Sequence, residues 1–243
     1  MMASSSERRR RYYELDPDRV LETISSLSVR VGERFPDSGL AGVGRELVEI
    51  GKLARERMDW IGRPIWAVRG MTFFVVAMLV LGLVVLVFNL KPEEGVFEFT
   101  TFVGLLEAGL NDLVMLSIGI FFLVTLETRI KRKRALEAIH ELRSIAHVID
   151  MHQLTKDPDR VLRDSSENTA HSPASELSVF ELRRYLDYCA EMLSLTGKIA
   201  SLYLQNFEDA AAIAAVNEIE DLTTGLSRKI WQKIMILQGG GLG

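Results

Sequence analysis

The chain has 243 residues, 48% of them hydrophobic and 26% charged, with a formal net charge of −4. Its mean hydropathy of +0.13 is high for so charged a chain, so the apolar residues must be concentrated in places; disordered, collagen-like and disulfide-rich chains are excluded. One cysteine, Cys189, leaves no intrachain disulfide and no multi-cysteine zinc site, and a pI near 5.7 speaks against a nucleic-acid partner.

Residues 8–11 are a basic run, but Tyr12, Tyr13 and Glu14 follow it rather than an apolar core. The start is therefore expected to be a basic disordered tail over 1–15, not a signal peptide. Asp16 and Pro17 supply a cap and a first-turn proline. Val20, Ile24, Leu27 and Val31 then recur at helical spacing until Pro36. Asp37 or Ser38 caps the next helix, whose stripe is Leu40, Val43, Leu47, Ile50, Ala54 and Met58. Gly39, Gly42 and Gly44 lack the preceding strand and following lysine of a phosphate loop and read as a flexible helix start. These two helices fill 16–63, and Pro64 breaks the chain before the first apolar run.

Residues 71–90, MTFFVVAMLVLGLVVLVFNL, carry no charge. Twenty helical residues cover about 30 Å, the thickness of a bilayer's hydrocarbon. Residues 113–126, LVMLSIGIFFLVTL, are too short alone and must extend back past Asp112, Asn111 and Glu107 to cross. Lys52, Arg55, Arg57, Arg63 and Arg69 precede the first run; Arg129, Lys131, Arg132, Lys133 and Arg134 follow the second. Between them lie Glu93, Glu94, Glu98 and Glu107 against Lys91. Positive charge stays cytoplasmic. The expectation is a hairpin over 64–126, with spans at 68–90 and 104–126, an outer loop at 91–103 and both termini cytoplasmic, in a bacterial inner membrane. Arg69, Arg129, Lys131, Arg132, Lys133 and Arg134 are placed to meet lipid headgroups.

Residues 127–156 hold neither glycine nor proline and continue the second span as a helix, with Ala135, Ile139, Leu142, Ala146 and Ile149 on one face. Residues 157–176 form a polar linker. Over 177–238 come two more helices, with Leu182, Leu186, Cys189, Leu193, Thr196, Ile199 and Leu202 on the first. Val216, Ile219, Leu226, Ile230, Ile234 and Leu237 follow on the second at near-heptad spacing. The tail, 239–243, is glycine-rich. The fold class is all-α: a transmembrane hairpin plus a cytoplasmic amphipathic helix bundle with coiled-coil-like patterning.

Two clusters carry candidate chemistry. Glu107, Asn111, Met115, Ile118 and Phe122 share a helix face, with Asp112 beside it and Gly104, Ala108 and Gly119 nearby. An acid inside a span must face protein or water. Asn111 and Asp112 either line the outer part of a cation-conducting oligomer or make a polar helix contact, for example to Asn89 or Lys91. The second cluster is His140, Arg143, His147, Asp150 and His152. Glu137 and His140 match the Glu-x-x-His of di-iron bundles, but the required second copy is missing. A metal site and a pH switch are weighed there against the favoured reading, a polar stripe on a neighbouring helix with Asp187 or Glu191 as partners. Cys189 reads as core.

The stretch 123–158, LVTLETRIKRKRALEAIHELRSIAHVIDMHQLTKDP, and the later RYLDYCAEMLSL at 184–195 resemble a family of bacterial two-span membrane proteins of uncharacterised activity. The resemblance supports an inner-membrane location, carries over no catalytic residues and adds nothing about activity. The residues point to a non-enzymatic homo-oligomer that anchors a cytoplasmic helical assembly in the lipid bilayer and binds a cytoplasmic protein. The alternatives are an oligomeric cation channel or transporter through Asn111 and Asp112, and a membrane-anchored metal or redox enzyme using 140–152.

Overall fold

A computed structural model describes residues 14–89, 99–158, 161 and 177–239, and those residues form helices and turns with no strand among them. The basic tail up to residue 13, most of the outer loop and the polar linker, and the last four residues lie outside the described residues. Among the described residues six helices follow in chain order: α1 (Pro17–Arg34), α2 (Gly39–Gly62), α3 (Trp66–Asn89), α4 (Phe99–Leu154), α5 (Val179–Leu202) and α6 (Ala210–Gly239). They divide into two compact units, one of Met1–Gly62 with Arg134–Gly243 and one of Arg63–Lys133.

Local chemistry sets the helix ends. Asp16 accepts hydrogen bonds from the backbone of Asp18 at 3.0 Å and Arg19 at 3.4 Å, and Pro17 occupies the first turn of α1. Ser38, rather than Asp37, caps α2, its hydroxyl accepting from the Ala41 backbone at 3.2 Å. A Cβ at Gly39 would lie 2.3 Å from the His152 ring, so a larger residue there would require that side chain to move. α4 begins at Phe99, so the connection is shorter than the expected 91–103; the helix then runs unbroken to Leu154.

α5 opens with a capping box that the stripe reading passed over. The Glu181 backbone donates to the Ser178 hydroxyl at 3.2 Å, and Glu181 accepts from the Ser178 backbone at 2.9 Å. Those backbone and hydroxyl donors favour the ionised acid and hold Glu181 below the usual carboxylate value. A folded-state depression stabilises above the unfolded pKa and is lost as pH falls through the folded one. Glu181→Gln is therefore expected to lower the melting temperature at pH 7 and to match the parent protein after acidification. A gap that persists in acid would mean that the carboxylate is not the active feature of the cap.

In the first unit one hydrophobic core draws on α1, α2, the later part of α4, α5 and α6. Every expected stripe residue of α1 is buried, as are all those named on α5 and α6 and Ala135, Ile139, Leu142, Ala146 and Ile149 of α4. On α2 Ile50 is only partly buried. Each fully buried aliphatic side chain contributes roughly 1.5–3 kcal/mol of transfer free energy. α5 departs from the one-stripe expectation: Tyr185, Tyr188, Met192 and Leu195 are buried as well, because α1, α2 and α6 all pack against it. Phe35 meets Tyr185 and Tyr188 edge-on, with ring centroids 5.4 and 6.3 Å away. On α6, buried Ala212 and Thr223 complete the series 212, 216, 219, 223, 226, 230, 234, 237, whose spacings of three and four are those of a helix packed in a seam.

The second unit contrasts with the first. Two helical stretches, one ending at Gly82 and one beginning at Gly109, each carry an 18-residue window of mean hydropathy 1.9, long and apolar enough to cross a membrane, and neither window has a buried residue. The core helix of a soluble protein is covered by its neighbours. Here Phe73, Phe74, Met78 and Leu81 of α3 are all more than half exposed, an apolar surface of the kind that marks a membrane or protein contact.

Candidate functional site

The polar face of α4 lies within the second unit. Glu107, Asn111, Met115, Ile118 and Phe122 are all exposed. Between residues 107 and 123 the half-covered α4 residues are Leu116, Ile120 and Leu123, with Thr125, Leu126 and Glu127 half-covered beyond them; on α3 they are Val68, Thr72 and Val75. At about 100° per residue, the centre of Leu116, Ile120 and Leu123 is about 150° from the centre of the polar face. Asn111 is thus left uncovered by the described residues of its own chain. The side chains of Asp112 and Asn89, with Lys91, lie outside the described residues, as do Gly104 as a neighbour and Ala108 as a side chain.

The basic flanks prove to be partnered rather than merely cationic. Glu127 of α4 receives Arg69 Nε of α3 at 3.1 Å and Lys131 Nζ, one turn on, at 2.9 Å. The carboxylate is 15% exposed and the Lys131 side chain 12%, so this ion pair is shielded and weighs more than a surface pair. It ties α3 to α4. Arg134 lies over the Trp60 ring, 3.5 Å from its centroid, a cation–π contact within the first unit. Arg69, Lys131 and Arg134, expected at lipid headgroups, therefore have protein partners. Arg129, Arg132 and Lys133 are exposed. Sequence reading passed over Glu127, although its signal was present: it is the sole acid between Asp112 and Glu137 and stands four residues before Lys131.

The histidine segment is dispersed. His140 and His147 are exposed, as is Glu137. Arg143 is ion-paired to Glu218 of α6. Asp150 accepts from Gln153 Nε2 at 2.6 Å, and His152 lies against Gly39. The suggested partners are engaged elsewhere: Glu191 pairs with Arg30 at 2.6 Å and Asp187 with Arg184 at 3.5 Å. That corrects the expected pairing of this stripe with α5, since the α4 charges turn to α6 and α2 instead. Arg57 of α2 meets Glu141 at 2.5 Å. Among the described residues no three His, Cys, Asp or Glu side chains converge to hold a metal.

The end of α4 is closed by a lysine that the sequence did not single out. Lys233 of α6 donates to the carbonyl oxygens of Gln153 at 2.8 Å and Lys156 at 3.1 Å, satisfying terminal acceptors and complementing the helix dipole. Burial pulls its pKa below the ordinary lysine value, with Asp157 and Asp150 pulling back. Burial likewise pushes the Cys189 thiol up to about 12, so it stays protonated and unreactive at neutral pH.

Comparison with known proteins returns no matching family model, no matching curated protein and no matching solved structure.

Proposed function

We propose that this chain is a non-enzymatic, multi-pass protein of a bacterial inner membrane, in which a two-span hairpin holds a cytoplasmic helix bundle that assembles with further copies and binds a cytoplasmic protein. One observation carries the reading. α4 is a single helix from Phe99 to Leu154, apolar and uncovered in its first half and buried in a shared core at Ala135–Ile149 in its second. A helix of that length with such a change of character joins a lipid-solvated part to a water-soluble part. The basic residues on both sides of the hairpin favour a cytoplasmic location for that core.

The mass of the detergent-solubilised protein, measured by light scattering with the detergent subtracted, tests assembly. A multiple of the 27.3 kDa chain is the expected result, and a monomer at working concentration would remove the oligomer. On the same preparation in vesicles, protease added to inside-out membranes should remove the helices after residue 154, whereas right-side-out vesicles should protect them.

A further inference from the structure

We infer that the α4 face carrying Asn111, Met115, Ile118 and Phe122 is the surface on which a second copy of this chain packs within the membrane. The inference rests on the oligomeric reading above and names its contact. These four residues and Glu107 fall within about 80° of one another on the helix. Met115 is 69% exposed, Ile118 59% and Phe122 54%, and Asn111 is exposed with them. Alongside residues 111–122 the chain's own half-covered residues, Leu116, Ile120 and Leu123, lie on the other side of α4, so the hairpin can close while leaving this stretch of the face open.

An apolar face alone would be satisfied by lipid. Asn111 changes the balance, because hydrocarbon offers an amide neither donor nor acceptor. A carboxamide carries both a donor and an acceptor, so it pairs with its own image across a two-fold axis. A second copy is the occupant that necessarily brings the matching group to the same depth. Glu107, one turn nearer the start of α4, falls at the water boundary in this register and keeps its charge hydrated. Gly119 borders the face, and a Cβ added there would meet nothing within 4 Å, leaving the backbone open to close approach by a partner helix.

Single cysteines at alternative positions test the proposal in vesicles holding the full chain. The native Cys189 is fully buried with its pKa pushed to about 12, so it stays silent to oxidative cross-linking. Met115→Cys, Ile118→Cys and Phe122→Cys should give a cross-linked dimer, whereas Leu116→Cys, Ile120→Cys and Leu123→Cys should not. Asn111→Leu, which inserts at least as readily, should weaken dimerisation by about three- to tenfold, and Asn111→Gln should restore it. Cross-links of equal yield on both faces, or yields unmoved by Asn111→Leu, would overturn the proposal. If the parent protein is oligomeric by mass but cross-links only through 116, 120 and 123, this interface fails while assembly stands. If it is a monomer that cross-links nowhere, both fail.

Discussion

Leu81→Arg should shift the insertion equilibrium of α3 by about 100-fold against the membrane. Leu81 lies at the middle of the uncharged run 71–90 and is 63% exposed. At such an exposed site on a water-facing helix, an arginine would change stability by about 0.5 kcal/mol or less. At the centre of a span it costs about 2.5–3.5 kcal/mol. The same substitution therefore separates the two environments by its size. Leu53→Arg on α2, also at an exposed leucine, serves as the silent control. The readout is labelling of Glu94→Cys by a membrane-impermeant maleimide from outside the cell. Labelling that Leu81→Arg leaves unchanged would argue that α3 does not cross.

Leu193→Ala is the substitution expected to weaken the first unit most. Leu193 is 0% exposed on α5, the helix against which α1, α2 and α6 pack. Truncating it removes transfer free energy and leaves a cavity that three neighbouring helices cannot all close, at a cost of about 2–5 kcal/mol. Lys198→Ala, on the exposed side of the same helix, should cost about 0.5 kcal/mol or less. Denaturant titration of the detergent-solubilised protein, followed by far-ultraviolet circular dichroism, measures both. A loss for Leu193→Ala comparable to that for Lys198→Ala would mean that α5 is not central to the core.

The buried stripes were open to sequence reading because burial on one side of a helix imposes a period of 3.6, and that period survives in the residues themselves. Ile24, Leu142, Leu193 and Ile230 all fell on predicted stripes and all are buried. The second and third sides of α5 were less legible. Tyr185, Tyr188 and Met192 are amphipathic or flexible residues that occur on exposed and buried faces alike, and only their neighbours decide which. The Ser178–Glu181 box is legible as serine followed three positions later by glutamate, a local signal of a helix start.

The polar residues show the opposite limit. From sequence, Arg69 and Lys131 were two cations at a membrane boundary, and Glu127 was one acid among many. Their meeting depends on α3 and α4 lying side by side, a relation between residues 58 positions apart. The pairing of Arg143 with Glu218, and of Lys233 with the carbonyls that end α4, likewise depends on which helix neighbours which. Charged side chains are long, and surface pairs differ little in energy, so several arrangements would suit the same sequence.

The sequence by itself determined that the chain is helical, that it holds two apolar segments of about membrane thickness, and which side of most amphipathic helices is buried. These properties follow from composition and periodicity, which act over one or a few helical turns. Only the tertiary structure decided that α5 is enclosed on several sides, that Glu127 holds Arg69, and that His140 and His147 are exposed while His152 packs against Gly39. Those outcomes depend on contacts between segments distant in the chain, where shape complementarity among several helices, and not the period of any one of them, selects the partners.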